Sequence, residues 1–308
     1  MKKNILTLLI TLISLIGNAQ TDCDIALCVY FGDKSSEMTE QNKAYLKNVI
    51  NNAISQGNGL SNLEDSQFGV VVNTDVMNEH IIAGAPTKTV LNLSITFFIG
   101  DVYNGKLFSS FTVDLNGVGN SRGKAYNNAI RKLKPQNQSL SEFAAKAKDE
   151  IVTYYNKNYK SIIKNAESQA VMRNYEEVIY KLMCIPVCCT GYDEAMSKVC
   201  VIYKQFIDQQ CHENIAQAQA AWMSGYTKEN AAVASIFLSE IYPDAACYEE
   251  AMELVAEIKR HMGEEWKFEM KRWNDLMSVE AQQLKFAREI ALAFAQNQPQ
   301  QVVHTFLR

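Results

Sequence analysis

The glycine-rich stretch at residues 117–124 comes closer to a chemical motif than any other segment of this sequence. It reads Gly-Val-Gly-Asn-Ser-Arg-Gly-Lys and precedes a predicted helix, Ala125–Leu133. A phosphate-binding loop needs Gly, four residues and Gly-Lys-Ser/Thr, so that backbone N–H groups cradle the phosphates and the hydroxyl holds Mg²⁺. Val118 stands where the first glycine is required, and Ala125 replaces the hydroxyl. We therefore predict a strand-to-helix turn capped by Ser121, and no nucleotide or other cofactor.

Two further sets of residues have the types that catalysis uses. Cys211 beside His212 opens a predicted helix, which lowers a thiol pKa, but we favour a disulfide or a simple helix start. The acidic pairs 193–194 and 249–250 stand at predicted helix starts, where carboxylates interact favourably with the helix dipole. The histidines are scattered, without the spacing of a zinc site: His80, His212, His261 and His304. We predict no catalytic residue and no metal site, so that the chain is not an enzyme.

The first nineteen residues have the pattern of a secretory signal peptide. Lys2 and Lys3 precede an apolar run, Ile5–Ile16, and Gly17-Asn18-Ala19 resembles a cleavage site. The formal charge of -4 becomes about -6 when the two lysines are removed with this segment. Without a basic stripe, nucleic acid is an unsuitable partner. We expect an exported protein of a Gram-negative bacterium, periplasmic, outer-membrane-associated or secreted, with no transmembrane span after cleavage.

Eight cysteines in an exported chain predict disulfides. Cys23 and Cys28 lie near the start, and the other six lie in the second half. We expect one or two bridges in that half, with Cys200 a buried free thiol and Cys189 and Cys247 in equivalent turns. The connectivity cannot be deduced from sequence. The candidates for bridges are Cys184, Cys188, Cys189, Cys211 and Cys247.

The first half of the chain alternates between strand and helix patterns. Ile25–Phe31 reads as a strand, residues 39–55 as a helix, and Phe68–Val76 as a second strand. Two alternating strands within residues 91–115 flank Asn104-Gly105, a pair that favours a hairpin with a type I′ turn. The predicted order is β-α-β-β-β-α, a small α/β sandwich.

This order resembles the small α/β domains of CsgG-like and LpoB-like outer-membrane assembly factors and of the TolB amino-terminal domain. The resemblance covers residues 25–133 and rests on Gly117-x-Gly119-x-Ser121, then Lys124-Ala125 and Ala129-Ile130. It implies contacts with other envelope proteins and no catalysis. The chain departs from the family because Thr21-Asp22 before Cys23 do not form a lipobox, and because a helical array follows.

Two stretches 56 positions apart nearly repeat each other. Residues 182–196 run from Leu-Met-Cys-Ile to Tyr-Asp-Glu-Ala-Met, and residues 238–252 run from Leu-Ser-Glu-Ile to Tyr-Glu-Glu-Ala-Met. Upstream, residues 166–170 resemble 216–220 at a spacing of 50, so we place an insertion near Met223–Lys228. The units resemble tetratricopeptide repeats, here with three helices each, and such arrays bury their apolar faces by stacking.

A long last helix is predicted over Glu264–Gln296, after Gly263. Its apolar residues are spaced as one seam: Trp266, Met270, Trp273, Met277, Ala281 and Leu284. The tail at 302–307 reads as extended. The candidates for contact with protein partners are Trp266, Met270, Trp273, Tyr192 and Tyr248.

The fold class is therefore α+β, with four segments along the chain. These are a signal peptide (1–19), an α/β domain (20–135), a tetratricopeptide-like repeat domain (139–262), and a long helix with a tail (263–308). We hypothesise a non-catalytic scaffold or assembly factor that binds envelope proteins. The alternatives are an exported enzyme or small-ligand binder with a site between the domains, and a subunit of an oligomeric pore or ring that uses the 91–115 hairpin.

Overall fold

The computed structural model describes most of the chain and divides it into two compact units. One unit comprises the described residues up to Tyr154 together with 186–189; the other comprises 155–185 and 190–297. The predicted signal peptide, Trp273 and the tail lie outside the described residues. Those residues are 23–55, 60–62, 66–102, 104–133, 137–263, 266–272 and 277–297.

The first unit contains a five-stranded mixed sheet in the order β2-β1-β3-β4-β5. β1 is parallel to β2 and β3, whereas β3, β4 and β5 form an antiparallel meander. The predicted strands are present, β3 is longer than expected, and short β2 was not predicted. The bounds are β1 Ile25–Phe31, β2 Leu60–Asn62, β3 Phe68–Ile82, β4 Lys88–Asp101 and β5 Lys106–Gly119.

The alternation in β4 separates a buried face from a partly exposed one, as the sequence predicts. Leu91, Leu93, Ile95, Phe97 and Ile99 are all buried. The β4–β5 connection differs from the expected two-residue type I′ turn, because four residues separate the strands.

The Asp101 side chain closes this four-residue connection. Its carboxylate accepts hydrogen bonds from the backbone N–H of Asn104 at 2.9 Å and from its side-chain amide at 2.8 Å. Only the second residue of the Asn-Gly pair has a positive φ, with Gly105 at 64°. The side-chain bonds thus replace the tight turn that the pair favours.

Two helices and the start of a third complete this unit: α1 (Glu40–Ile54), α2 (Arg122–Arg131) and α3 (Asn137–Val171). Thr39 and Ser121 cap α1 and α2, each accepting from the backbone N–H three residues on. Buried Asn42 joins the two helices, because its amide donates to the Gly123 carbonyl and to the Asn127 side chain.

The first part of α3 packs on the sheet. The ring of Phe143 lies 5.7 Å from that of Phe111 on β5, and the division into units falls inside α3, after Tyr154. This helix begins at Asn137, two residues before the predicted start of the repeat domain at 139.

The second unit is helical. It contains the rest of α3, α4 (Tyr175–Met183), α5 (Tyr192–Met223), α6 (Lys228–Ser239), α7 (Tyr248–Met262) and α8 (Val279–Asn297). One order of elements occurs twice. In the first layer, the end of α3, α4 and a loop lead to the start of α5; in the second layer, the end of α5, α6 and a loop lead to α7. The long helix α5 belongs to both layers.

The pattern of buried residues aligns the end of α3 with the end of α5 at a spacing of 52 residues instead of the expected 50. Ile163 and Ala166 in α3 are buried like Ile215 and Ala218 in α5, whereas Ala216 is exposed. A residue with positive φ follows each long helix, Arg173 and then Tyr226. The spacing rises to 56 by Leu182 and Leu238, both fully buried, so the extra residues of the second layer lie in the turn after α5 and in α6, which is 12 residues long against 9 for α4.

The predicted long helix over 264–296 is wrong. α7 ends at Gly263 with φ 80°, residues 266–272 are not helical, and α8 begins only at Val279. The predicted seam is broken as well, because Ala281 is exposed while Ala287 and Ile290 form the buried face of α8.

Two disulfides are present, one in each unit: Cys23–Cys188 and Cys211–Cys247. Cys23 was not among the candidates, and Cys184 and Cys189, which were, form no disulfide. Cys200 is free, as expected, but only half-buried. Cys189 and Cys247 lie in equivalent turns, as predicted, but at different positions in them: at the 56-residue spacing, Cys247 corresponds to Gly191 and Cys189 to Ala245.

The glycines of the 117–124 stretch allow α2 to approach β5. Gly117 lies on the strand, not in the turn, and a Cβ there would lie 2.9 Å from the carbonyl carbon of Ala125 and 2.9 Å from the Cβ of Ala129. Both atoms belong to the same short helix, which cannot move without leaving the sheet. The glycine thus serves packing.

We expect Gly117→Ala to lower the free energy of unfolding by about 1–3 kcal/mol, through steric overlap with α2. Urea denaturation measures the loss. The matched control is Gly84→Ala, where the nearest atom to a new Cβ is 3.5 Å away and the expected change is within about 0.5 kcal/mol. Equal stability of the two variants would contradict this account of the α2–β5 contact.

Candidate functional site

The predicted partner-binding residues take part mainly in contacts within the chain. The Tyr248 hydroxyl donates to the Lys271 carbonyl at 2.6 Å, and Met270 is buried. Trp266 is half-buried and stacks on Phe268, with ring centroids 5.4 Å apart. Tyr192 is half-buried at the first position of α5. None of these four residues is exposed, and Trp273 lies outside the described residues.

The segments weighed for chemistry also have structural roles. Cys211 lies inside α5, not at a helix start as expected, and is bonded to Cys247. The acidic pairs 193–194 and 249–250 occupy the first turns of α5 and α7, as predicted. Among the described residues, no group of three or more His, Cys, Asp or Glu side chains is placed to hold a metal ion.

A groove of about 670 Å³ lies in the first layer, between the end of α3, the start of α4 and one face of α5. We call it the α3–α5 groove. The α5 residues recur at helical spacing, so one stripe of that helix forms a wall. The lining residues are Glu167, Ala170, Val171, Arg173, Tyr175, Lys198, Val201, Ile202, Gln205 and Asp208.

The rim of the groove is apolar and open to solvent. Val171 is 86% exposed and Val201 is 55% exposed, and Met172 beside Val171 is exposed as well. Behind the rim, Ala170 and Ile202 are buried. An apolar rim around a concave surface is typical of a site that another molecule covers.

Charged groups frame the groove. Lys198 lies 2.5 Å from the Glu167 carboxylate, and this hydrogen bond raises the pKa of the Lys198 ammonium above its ordinary value. Asp208 accepts from Lys204 at 2.9 Å and from the backbone N–H of Ala246 at 2.7 Å. The Lys198–Glu167 pair bridges α3 and α5, and the bond from Ala246 to Asp208 links α5 to the loop before α7.

A buried aromatic pair lies elsewhere on α5. The ring of Tyr203 meets that of Tyr242 edge-on, 6.0 Å between centroids. Tyr203 is fully buried, and the described residues offer its hydroxyl no hydrogen-bond acceptor. Burial, with nearby Tyr242 and carboxylates, raises the pKa of Tyr203 far above its ordinary value.

The sequence reasoning missed the groove residues, although one signal was available. Val199, Cys200, Val201 and Ile202 form an apolar run inside a helix. Four successive residues point around the whole helix circumference, so at least one must face away from the core. Val201 is that residue, and it forms part of the rim.

Comparison with known proteins gives no family. No protein-family model matches the chain, and no curated protein matches it in sequence. A solved structure described as a minor lipoprotein from Acinetobacter baumannii is similar over 39% of this chain and 85% of that chain, with 20% sequence identity and a TM-score of 0.20. A TM-score this low carries no argument about fold or function. No helix in the described ranges combines the length and apolarity that a membrane crossing requires.

Tyr203→Phe and Tyr248→Phe should affect stability differently. Removing the unpaired, buried Tyr203 hydroxyl should leave the free energy of unfolding unchanged or raise it by about 1 kcal/mol. Removing the Tyr248 hydroxyl breaks its bond to Lys271 and should cost about 0.5–1.5 kcal/mol. Urea denaturation at pH 7 measures both; a Tyr203→Phe variant less stable than Tyr248→Phe would refute the assignment.

Tyr242 should contribute to a loss of stability in alkali. Burial, followed by Glu289 and Glu240, raises its pKa from 10.0 to about 12. In the unfolded chain this tyrosine loses its proton at a lower pH than in the folded protein. The stability that Tyr242 contributes is therefore complete below pH ~10 and falls as the pH rises towards 12. Urea titrations at pH 8, 10 and 11 should show a smaller decline for Tyr242→Phe than for the unaltered protein. An identical decline in both would be inconsistent with the buried phenol.

Proposed function

We propose that this chain is an exported, non-catalytic protein of the cell envelope that acts as a scaffold, with the α3–α5 groove as a docking site for a protein partner. Export is supported by the two disulfides, which persist in oxidising compartments, and by the signal-like pattern of the first nineteen residues. The resemblance of the first unit to envelope assembly domains agrees with its strand and helix order.

The observation that carries the docking proposal is the exposed apolar rim of the groove. Val171 and Val201 stay in solvent although each lies on a helix with buried apolar residues nearby, such as Ala170 on α3 and Ile202 on α5. The groove also has a framework of its own, because Lys198 and Glu167 bridge the two helices that form its walls. A partner that covered the rim would remove apolar surface from water at a site already shaped to receive it.

Photo-cross-linking in the native envelope tests the docking site. Val201 is replaced by p-benzoylphenylalanine in one variant and Ala216, exposed elsewhere on α5, in a matched control. The Val201 variant should give a defined adduct with one envelope protein that the Ala216 variant lacks. Adding Val171→Asp should suppress this adduct, because a carboxylate on the rim opposes burial.

The same adducts from both positions, or none from Val201, would contradict the scaffold proposal. An adduct that persists with Val171→Asp would place the partner elsewhere on α5. Thermal unfolding of the double variant serves as the folding control, because Val171 is exposed and its replacement should leave the melting temperature unchanged.

A further inference from the structure

In the second layer, the side chain of Trp222 occupies the place that corresponds to the open α3–α5 groove of the first layer. Trp222 is 1% exposed, and its indole N–H donates to the Glu257 carboxylate at 2.9 Å. The rings of Tyr226 and His261 meet the indole edge-on, with centroids 5.2 and 5.3 Å away. The indole is thus closed off from solvent, with two aromatic neighbours and one acceptor.

The corresponding position of the first layer is occupied by alanine. At the 52-residue spacing that aligns the buried residues of the two long helices, Ala170 corresponds to Trp222, and both are buried. Arg173 corresponds to Tyr226, since each is the positive-φ residue after its long helix. At the 56-residue spacing, Gln205 corresponds to His261 and Val201 to Glu257.

These four positions, 170, 173, 201 and 205, all line the α3–α5 groove. The open space of the first layer is therefore lined by the positions whose counterparts in the second are the indole and its three partners. Ile202 lines the groove, and its counterpart Ile258 is buried as well. The first layer thus keeps a buried isoleucine at this position but has no indole.

We propose that the α3–α5 groove takes a tryptophan side chain presented by a segment of a partner protein. This inference rests on the proposed scaffold function and specifies what the partner inserts. Arg173 and Lys198 supply cations at the groove, which favour the face of an aromatic ring. In the second layer, Glu257 accepts the indole N–H, but the first layer has Val201 at that position. The oxygen acceptors for an indole N–H in the groove are therefore the side chains of Gln205 and Glu167.

Fluorine NMR with two probes tests the inference on the whole protein. The probes are 5-fluoroindole and a capped Gly-(5-fluorotryptophan)-Gly peptide. Both should bind with dissociation constants on the order of 1 mM, as expected for fragments of this size. Ala170→Trp should weaken binding of both at least about tenfold, because its own side chain fills the space, and it should keep the melting temperature. Ala216→Trp, on an exposed site, should bind both probes like the unaltered protein.

Val201→Glu is a second variant, at an exposed position where folding is not at risk. It restores the carboxylate that Glu257 provides in the second layer. Binding of 5-fluoroindole should tighten about fivefold through a charge-assisted hydrogen bond, whereas 1-methyl-5-fluoroindole, which lacks the N–H, should show no gain.

Each remaining outcome overturns the inference. Absence of binding by both probes refutes the aromatic site, even if cross-linking at Val201 succeeds and the scaffold function stands. Binding of 5-fluoroindole without the peptide identifies a site for a small aromatic molecule instead of a protein segment. Unchanged binding by Ala170→Trp, or equal gains for both indoles with Val201→Glu, places the probe outside the groove.

Discussion

The stability of the helical unit depends on one constraint: α5 must bury an apolar stripe along 32 residues while belonging to two layers. The helix α5 packs with both α4 and α6, and buried residues occur along its whole length. The short helices of this unit would not be stable alone in water, because an isolated short helix has only marginal stability even when its residues favour helix. The shared helix therefore makes the two layers depend on each other, and the Cys211–Cys247 bridge joins its middle to the residue before α7.

The strands could be predicted because their signal is local. A period of two over β4 places every second residue in the core, and the bounds of β1 and the cap at Ser121 follow from short-range chemistry. What failed depended on contacts of individual side chains, which the residue pattern does not show. The Asn-Gly pair favours a two-residue turn, but Asp101 folds back onto Asn104 and stabilises a longer connection.

The error over 264–296 has the same origin. Apolar residues at spacings of three and four indicate a helix only if the backbone is free to form one. Here Gly263 ends α7 in a left-handed conformation, and the Lys271 carbonyl accepts the Tyr248 hydroxyl. These contacts hold residues 266–272 in a non-helical form, so Trp266 and Met270 do not share a helix face with Ala281. The cysteine pairing was equally hidden, because Cys23 and Cys188 are 165 residues apart.

The groove could not be read from sequence because it arises from a difference between two layers, not from a motif. The repeat predicts equivalent elements, but only the fold shows that Ala170 and Trp222 occupy corresponding buried positions. An alanine there leaves the volume of an aromatic ring unfilled. A space of this kind inside a closed core would lower the stability of the protein, because its lining loses packing contacts. At a rim open to solvent, the same space is an apolar recess. The same geometry thus stabilises the second layer through its own tryptophan and leaves the first layer able to accept one from outside.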